Sequence, residues 1–333
     1  MSELVYAGER ELRVSLLTPA RVRELSQCRP GRVVLDTAVT WATIVAVWAA
    51  AVAIGSWWAK IAAAIISGNR YYSLWIIGHD GLHRRLFQST FANDLFNDLL
   101  VLGPIGAITR INNRNHLSHH QHLGTGDDPD RYKHACFNKA TRPQLIGYLL
   151  AVTSVVPAVI HVFSRRNQVK AAKQAHSPDG PRYRPRDLAI LAGWQAGLLA
   201  FFTIFFGWWS YFALWWLPVF VFVFLADNLR TFVEHSHPEG DEQADTHRLI
   251  TNHPSWLERQ LLSPMNMNYH AAHHLWTSIP YYNLPIADAE MRESPKAKAI
   301  TWRGSYLTYL GRYFRVLPLT ECLRPATGAP TVT

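Results

Sequence analysis

The 333-residue sequence has few cysteines and lacks the motifs of several common enzyme classes. Its three cysteines, Cys28, Cys136 and Cys322, lie far apart and form no CxxC pair, so the sequence predicts neither a disulfide framework nor a cysteine metal site. HExxH and GxSxG are both absent, which argues against a zinc protease and a serine hydrolase. The N-terminal segment carries acidic residues and no apolar stretch, which is not typical of a secretory signal.

Charged residues are also scarce, at 17%, and two long stretches contain none: 37–59 and 188–226. Core helices of soluble proteins usually keep a polar face, which these stretches lack. The second stretch is long enough for two membrane spans of about 20 residues each. We therefore predict an all-α integral membrane protein with four transmembrane helices in two hairpins. The predicted spans are 37–54, 57–78, 187–206 and 208–226.

The formal net charge of +9 is concentrated in two segments. Six arginines lie in 1–36, and seven lysines or arginines lie in 164–186. Basic segments next to spans mark the cytoplasmic side of a membrane. Nucleic-acid binding is the alternative, but no recognition motif accompanies the basic residues. We expect both termini in the cytoplasm and 144–163 in the membrane interface, because a crossing there would place the second basic segment outside.

These predictions describe a single domain, 1–333, made of alternating hairpins and polar segments. In order, they are a cytoplasmic segment 1–36, hairpin one 37–78, cap segments 79–186, hairpin two 187–226, cap segments 227–320 and a tail 321–333.

Eleven of the 16 histidines fall into four short groups, in "GHDGLH", "NHLSHHQH", "EHSH" and "NYHAAHHLW". Residues at i, i+3 and i+4 share one face of a helix, so each spacing directs two or three imidazoles to one place. Neutral imidazole is a good ligand for iron and zinc. Eight or nine such ligands exceed the four that one tetrahedral zinc needs, so we predict two metal ions.

This arrangement, HxxxH, HxxHH and HxxHH with apolar hairpins between, resembles the membrane fatty-acid desaturase and hydroxylase superfamily over about residues 37–310. Three segments carry the resemblance further: "HHQHLGTGDDPDRY", "LRTFVEHS" and "LLSPMNMNYHAAHHLWTSIPYYNLP". The sequence is most similar in character to bacterial members, including desaturase-like proteins of rhizopine and rhizobitoxine metabolism.

The resemblance implies a non-haem diiron centre that uses O2 to desaturate or hydroxylate an unactivated C–H position. The implied substrate is an acyl chain or lipid-like molecule, with a small amino-acid-derived metabolite as the alternative. The implied ligands are nine histidines: His79, His83, His116, His119, His120, His235, His270, His273 and His274. No haem-binding HPGG or iron–sulfur motif is present, so a separate ferredoxin or similar electron donor is implied.

Several polar residues are candidates for supporting roles around these ligands. Carboxylates commonly bind the second N–H of a ligand imidazole, and turn or helix-cap chemistry is the alternative for the aspartates. The candidates are Asp80, Asp127, Asp128, Asp130 and Glu234. His237 competes with His235 for the single ligand after the fourth span, and we favour His235 because Pro238 disfavours helix at His237. His122 lies outside the usual motif.

Two positions depart from the family pattern, and one charge is unexpected. Many relatives carry Glu where this chain has Ala272, and Pro where it has Thr277. Arg70 falls within a predicted span, where it either pairs with protein groups or holds a substrate or lipid anion. A membrane metal or haem carrier and a zinc hydrolase are the competing functions.

Overall fold

The structure is a computed structural model, and it describes residues 11–123, 128–136, 139–152, 183–236 and 249–319. Within these ranges the regular structure is almost entirely helical, as the sequence predicts. The exception is one pair of parallel three-residue strands, β1 (Ile250–Asn252) and β2 (Thr301–Arg303). Most of segment 164–186, the tail 321–333, Asp127 and His237 lie outside the described ranges.

Four long helices form two hairpins: α2 (Pro30–Ile54) with α3 (Trp57–Leu82), and α8 (Pro185–Phe206) with α9 (Tyr211–His235). The shorter helices are α1 (Pro19–Leu25), α4 (Thr90–Phe96), α5 (Thr109–His122), α6 (Arg131–His134), α7 (Arg142–Val152), α10 (Trp256–Leu262), α11 (His270–Leu275), α12 (Leu284–Glu293) and α13 (Tyr306–Val316). A π-helical turn, Asn97–Leu102, continues α4.

Three of the described helices, α2, α8 and α9, are long and apolar enough to cross a membrane. Helix α3 has the length but not the composition, because it contains Lys60, Arg70 and polar residues at its end. Three of the four predicted spans are therefore supported as apolar helices of membrane length. The fourth predicted span forms a long helix, α3, that is less apolar.

The first hairpin turns where the sequence predicts. Gly55 adopts φ 71°, a left-handed conformation that favours glycine, and its N–H donates to Ala51 O to end α2. Helix α2 begins at Pro30, seven residues before the predicted span, because proline fits the first turn of a helix. Part of the segment predicted as a polar N-terminal region is therefore helical.

The second hairpin differs from the prediction at its far end. The predicted span ends at 226, but α9 continues without interruption to His235. Two π-helical stretches, Tyr211–Trp216 and Val219–Val223, precede its final α-helical part. Polar residues begin at Asp227, and the helix still continues because the cap segments pack around it. This extension carries His235 into the protein interior.

The end of α3 packs closely against the turn that follows α4. A Cβ on Gly81 would lie 2.2 Å from Asn97, and one on Gly78 would lie 2.3 Å from Leu102. Asn97 donates to Gly78 O at 3.1 Å and to the Thr109 hydroxyl at 2.9 Å, which links α3 to the start of α5. These contacts fix α5, with its histidines, beside the end of α3.

The strand pair and α13 enclose the end of α9. Arg303 on β2 donates to Val233 O and, at 2.9 Å, to Ser236 O, so it caps the last carbonyls of the helix. Tyr309 on α13 lies 2.7 Å from the Ser236 hydroxyl. The cap segments therefore fix the position of His235.

The sequence predicts no disulfide framework, but Cys136 is not an unpaired cysteine. That residue takes part in a disulfide, whereas Cys28 is free.

Candidate metal centre

The four histidine motifs converge from four separate helices. His79 lies in the last turn of α3, and His83 follows directly after it. Helix α5 carries the second motif, α9 ends at His235, and α11 begins at His270. All nine histidines predicted as ligands contribute to two neighbouring groups of imidazoles.

The first histidine group has five members, whose ligand nitrogens all lie within 4.8 Å of one another. They are His79, His83, His116, His120 and His273. The Nε2 atoms of His83 and His116 are 2.8 Å apart, those of His116 and His120 are 3.0 Å apart, and those of His120 and His273 are 3.2 Å apart. Nitrogens bound to one metal at 2.0–2.1 Å lie about 3 Å from each other, so this spacing suits a shared ion.

The second histidine group contains His119, His235 and His274, within the same 4.8 Å limit. His270 joins it through His235, because the two Nε2 atoms are 2.9 Å apart. The side chains of His235 and His274 are buried. Five and four histidines are enough ligands for two ions.

Neighbouring residues in the sequence contribute to different groups. His119 belongs to the second group and His120 to the first, and His274 and His273 divide in the same way. Consecutive residues on a helix point in different directions. The HH pairs therefore serve two sites at once.

Several buried ring nitrogens have no hydrogen-bond partner within the described parts of the chain. They are Nδ1 of His79, His120 and His273, and Nε2 of His274. Leaving a buried polar atom unpaired is costly, and native proteins rarely do so without a ligand or water. The unpaired Nε2 of His274 therefore fits a metal ion, whereas His120 and His273 approach the other imidazoles through Nε2 and carry their unpaired Nδ1 on the opposite side of the ring.

Four of the histidines have a lowered pKa, which favours the neutral ring that metal binding requires. Burial lowers the pKa of His83 to about 3. Burial, followed by the neighbouring imidazoles, lowers the pKa of His270, His273 and His274 well below the usual value. Neutral imidazole leaves a lone pair free for an ion.

Asp128 supports the second group, as the sequence predicts, but it does so together with a residue that the sequence analysis missed. One carboxylate oxygen lies 2.8 Å from His119 Nδ1, and the other lies 2.8 Å from His134 Nε2. Burial alone would raise the pKa of Asp128, but hydrogen bonds from both histidines hold it below its usual range. Bonding at Nδ1 directs Nε2 of His119 toward the group.

His134 is fully buried and lies outside every histidine motif. It also forms a possible metal-binding set with His119 and Asp128. A single histidine in "DRYKH" gives no periodic signal, so only its position six residues after Asp128 could have suggested a role.

Glu234 has the expected position, but its strongest bonds go elsewhere. Its carboxylate lies 3.4 Å from His270 Nδ1. It accepts from Arg230 at 2.6 Å and from the Tyr306 hydroxyl at 2.8 Å. Glu234 therefore links the second group to α13.

Two predicted supporting aspartates have other partners. Asp80 accepts from the main-chain N–H of Tyr281 at 2.6 Å, and its nearest ligand ring nitrogen, on His79, is 4.0 Å away. Asp130 lies 3.3 Å from the Lys133 ammonium. His122, outside the motif, approaches Ser118 on its own helix. The hydrogen bonds of Asp80 and Asp130 thus go to other parts of the cap.

The departure at Ala272 leaves the helix that carries the last three histidines intact. Ala272 is fully buried, and its carbonyl accepts from Trp276 N at 2.9 Å. The carboxylates beside the imidazoles come instead from Asp128 and Glu234. Arg70 is half-buried and contacts the side-chain oxygen of Asn69, and no carboxylate in the described ranges pairs with it.

Fold and site together define a class of protein. It is a helical protein with membrane-length apolar helices and a buried centre in which histidines from separate helices could hold metal ions.

Comparison with known proteins gives the family. Residues 55–306 match the fatty acid desaturase family, so the chain belongs to that family. The desaturase-type oxidoreductase predicted from the sequence is thereby confirmed at the level of the family. The carrier, transporter and zinc hydrolase alternatives find no support.

Individual relatives are similar at low identity. The sn-1 acyl-lipid omega-3 desaturase (ferredoxin) of Nostoc sp. (strain 36) is 24% identical over 238 residues, which cover 66% of this chain and 64% of that protein. The sn-1 oleoyl-lipid 12-desaturase of Anabaena variabilis is 22% identical over 263 residues, 73% and 71% of the two chains. The dihydrorhizobitoxine desaturase of Bradyrhizobium elkanii is 26% identical over 305 residues, 86% and 83%.

Proposed function

We propose that the nine histidines hold two non-haem iron ions and that the protein uses O2 to oxidise an unactivated C–H position. The observation that carries this proposal is the convergence of five and four imidazoles into two adjacent buried groups. All nine proposed ligands are imidazole nitrogens, and the carboxylates of Asp128 and Glu234 lie beside His119 and His270. This composition suits iron.

Bound iron would supply the reduction of O2 to two waters, which takes four electrons and four protons. A CH2–CH2 unit would give two electrons and two protons. A donor would give the other two electrons, and solvent the other two protons. The residues of this chain position the ions, keep imidazoles neutral and enclose the site. Hydroxylation begins with the same C–H cleavage, so the family leaves both outcomes open.

We propose an acyl chain or lipid-like substrate and a ferredoxin-type electron donor, because acyl-lipid desaturases and a ferredoxin-dependent enzyme are among the relatives. A small amino-acid-derived substrate is the second candidate, because a dihydrorhizobitoxine desaturase is also among the relatives. Arg70 is proposed to hold a lipid or substrate anion. Its only described hydrogen-bond partner is the neutral amide of Asn69, which supports this role.

We propose a multi-pass membrane protein of one domain with four spans, the histidines on the cytoplasmic side and 144–163 in the interface. Helix α3 would be the fourth span, because it pairs with α2 in a hairpin and carries His79 at the same end as the cap. The basic segment 164–186 supports the cytoplasmic assignment through its charge.

Metal analysis of the purified protein tests this proposal. We expect about two irons per chain, the number that nine ligands can serve. His273→Ala should abolish turnover while the protein remains in the membrane fraction. His122→Ala, on α5 but directed toward Ser118, is the matched control and should keep iron and activity. Zinc without iron in active protein, or full activity of His273→Ala, would refute the assignment.

A further inference from the structure

The two histidine groups differ in how far the protein encloses them. The histidines of the second group are all buried, whereas three of the five in the first group are partly exposed: His83, His116 and His120. A soluble electron carrier comes closest to the rings that solvent also reaches. The first group is therefore the side from which electrons can enter the centre.

A cavity of about 90 Å³ lies against the same centre and leaves two of these exposed rings uncovered. Among the described residues, its lining includes His79 and His116 of the first group but not His83 or His120. A molecule that fills the cavity would therefore not cover His83. A substrate in the cavity and an electron carrier at His83 could then be bound at the same time.

Two arginines follow His83 directly in the chain. The side chain of Arg84 is 52% exposed, and the carboxylate of Asp94 lies 3.5 Å from its guanidinium. Arg85 is half-buried, and its Nε has no hydrogen-bond partner in the described ranges. The exposed edge of the first group therefore lies next to positive charge.

Helix α5 adds a third arginine beside this edge. Asn113 donates to Leu82 O, which brings this part of α5, including the exposed Arg114, next to the end of α3. We refer to Arg84, Arg85 and Arg114 as the basic surface. Even with Asp94 beside it, this surface keeps a positive charge, which attracts an acidic protein and speeds its approach.

Arg84 has a backbone conformation that favours glycine. Its φ is 57°, in the left-handed region, directly after the end of α3. Its N–H donates to Gly81 O at 3.1 Å, and that of Arg85 donates to Asp80 O at 3.0 Å, which is the Schellman arrangement. Glycine adopts this conformation without the clash that a Cβ causes. Arginine is thus unfavourable for the turn itself, which points to a function of its exposed side chain.

We propose that an acidic, soluble electron donor of the ferredoxin type binds to the basic surface and passes electrons to the first histidine group through His83. Each reduced donor gives up one electron and leaves oxidised, so two donors deliver the two electrons that each O2 takes from the donor side. No proton moves and no covalent bond forms or breaks at this surface. This inference rests on the proposed diiron function and adds the place at which electrons enter.

The rate at which the donor reduces the iron tests the proposal. Iron-loaded protein in phosphatidylcholine nanodiscs is mixed, without O2, with a reduced plant-type ferredoxin, whose oxidation is followed by its absorbance. We expect Arg84→Glu to lower the second-order rate constant about tenfold at low salt, within the range that electrostatic steering supplies. The difference should vanish at about 1 M salt, where charges are screened within about 3 Å.

Arg315→Glu is the matched control, because it makes the same change of charge at an exposed position on another helix, α13. It should be reduced as fast as the unaltered protein. The iron content of each variant, and its complete reduction by excess dithionite, show that the centre is intact.

Arg84→Gly separates binding of the donor from a structural role of the arginine. Glycine suits the left-handed position, so the melting temperature should not fall. The rate constant at low salt should fall, because one positive charge is lost. A lower melting temperature with an unchanged rate constant would mean that Arg84 only supports the turn, and the proposal would be wrong.

Other outcomes would also overturn the proposal. Equal rate constants for Arg84→Glu and the unaltered protein at low salt would exclude the basic surface, and equal slowing of Arg315→Glu would mean that only net charge matters. If phosphatidylglycerol in the nanodiscs slows the unaltered protein but not Arg84→Glu, the basic surface binds anionic lipid instead. Turnover by protein without iron would reject the diiron function itself, which the other outcomes leave in place.

Discussion

At the residue scale, the histidines differ in what fixes them. His119 is held through Asp128 and His134, and His270 lies beside Glu234. His235 depends on the position of the helix end that carries it. The site is therefore sensitive to residues that would not themselves touch a metal.

His235→Ala should lose most of the iron and the activity, because His235 is buried with Nε2 2.9 Å from His270 Nε2. His237→Ala should keep most of both, because Pro238 disfavours a helical position for His237. Iron per chain and turnover are measured for each purified variant. The opposite pattern would mean that His237, and not His235, is the ligand.

Asp128→Asn should weaken iron binding by about 10–100-fold, the usual effect of removing a carboxylate behind a ligand imidazole. Iron loss to a chelator measures this change. Glu290→Gln is the control, because Glu290 is also ion-paired, with Arg21, but away from the histidines. Equal iron retention in Asp128→Asn and the control would argue against this role.

At the element scale, the site depends on where helices end. Helix α9 delivers His235 because its C-terminal carbonyls accept from Arg303 and because α13 packs beside Ser236. Helix α11 is only six residues long, yet it supplies three imidazoles to two groups. The ligands therefore lie at the ends of the long helices α3 and α9 and on the shorter helices α5 and α11.

Arg303→Lys should lower the melting temperature and the iron content together, because an ammonium cannot replace the two-pronged guanidinium contact at the end of α9. Losing a hydrogen bond to a charged donor costs about 1.5–3 kcal/mol of unfolding free energy. Arg315→Lys, exposed on α13, should change neither quantity. A stability loss with unchanged iron content would separate Arg303 from the site.

The α11 histidines also predict how stability depends on pH. Their pKa values are lowered in the folded chain by burial, so the unfolded chain binds more protons below its own value of about 6.5. Below about pH 6.5, each such histidine lowers the free energy of unfolding by about 1.4 kcal/mol for every unit that the pH falls. Metal-free protein should therefore melt at lower temperature as pH falls from 7 to 5. An unchanged melting temperature would contradict the buried, neutral state.

At the scale of the whole molecule, the basic segment 164–186 determines the proposed orientation. A cysteine introduced at Ser177 should resist an impermeant reagent in intact cells and react after lysis, because positively charged segments stay in the cytoplasm. Mass spectrometry locates the label, so the native cysteines can remain. Labelling from outside would mean that 144–163 crosses the membrane.

The sequence alone determined the helical class, the two hairpins and the nine candidate ligands. These are local properties: an apolar run or an i, i+3, i+4 spacing is complete within one turn or one helix. The Gly55 turn and the three apolar helices follow from the same short-range rules.

Only the tertiary structure decided how the histidines divide into two groups, why Asp80 binds Tyr281 instead of a ligand imidazole, and that His134 belongs to the site. The tertiary structure also decided that α9 continues beyond Ala226 to His235. Each of these depends on distances between segments far apart in the chain: His120 and His273, 153 residues apart, meet at 3.2 Å. Packing sets such distances, and no local spacing encodes them.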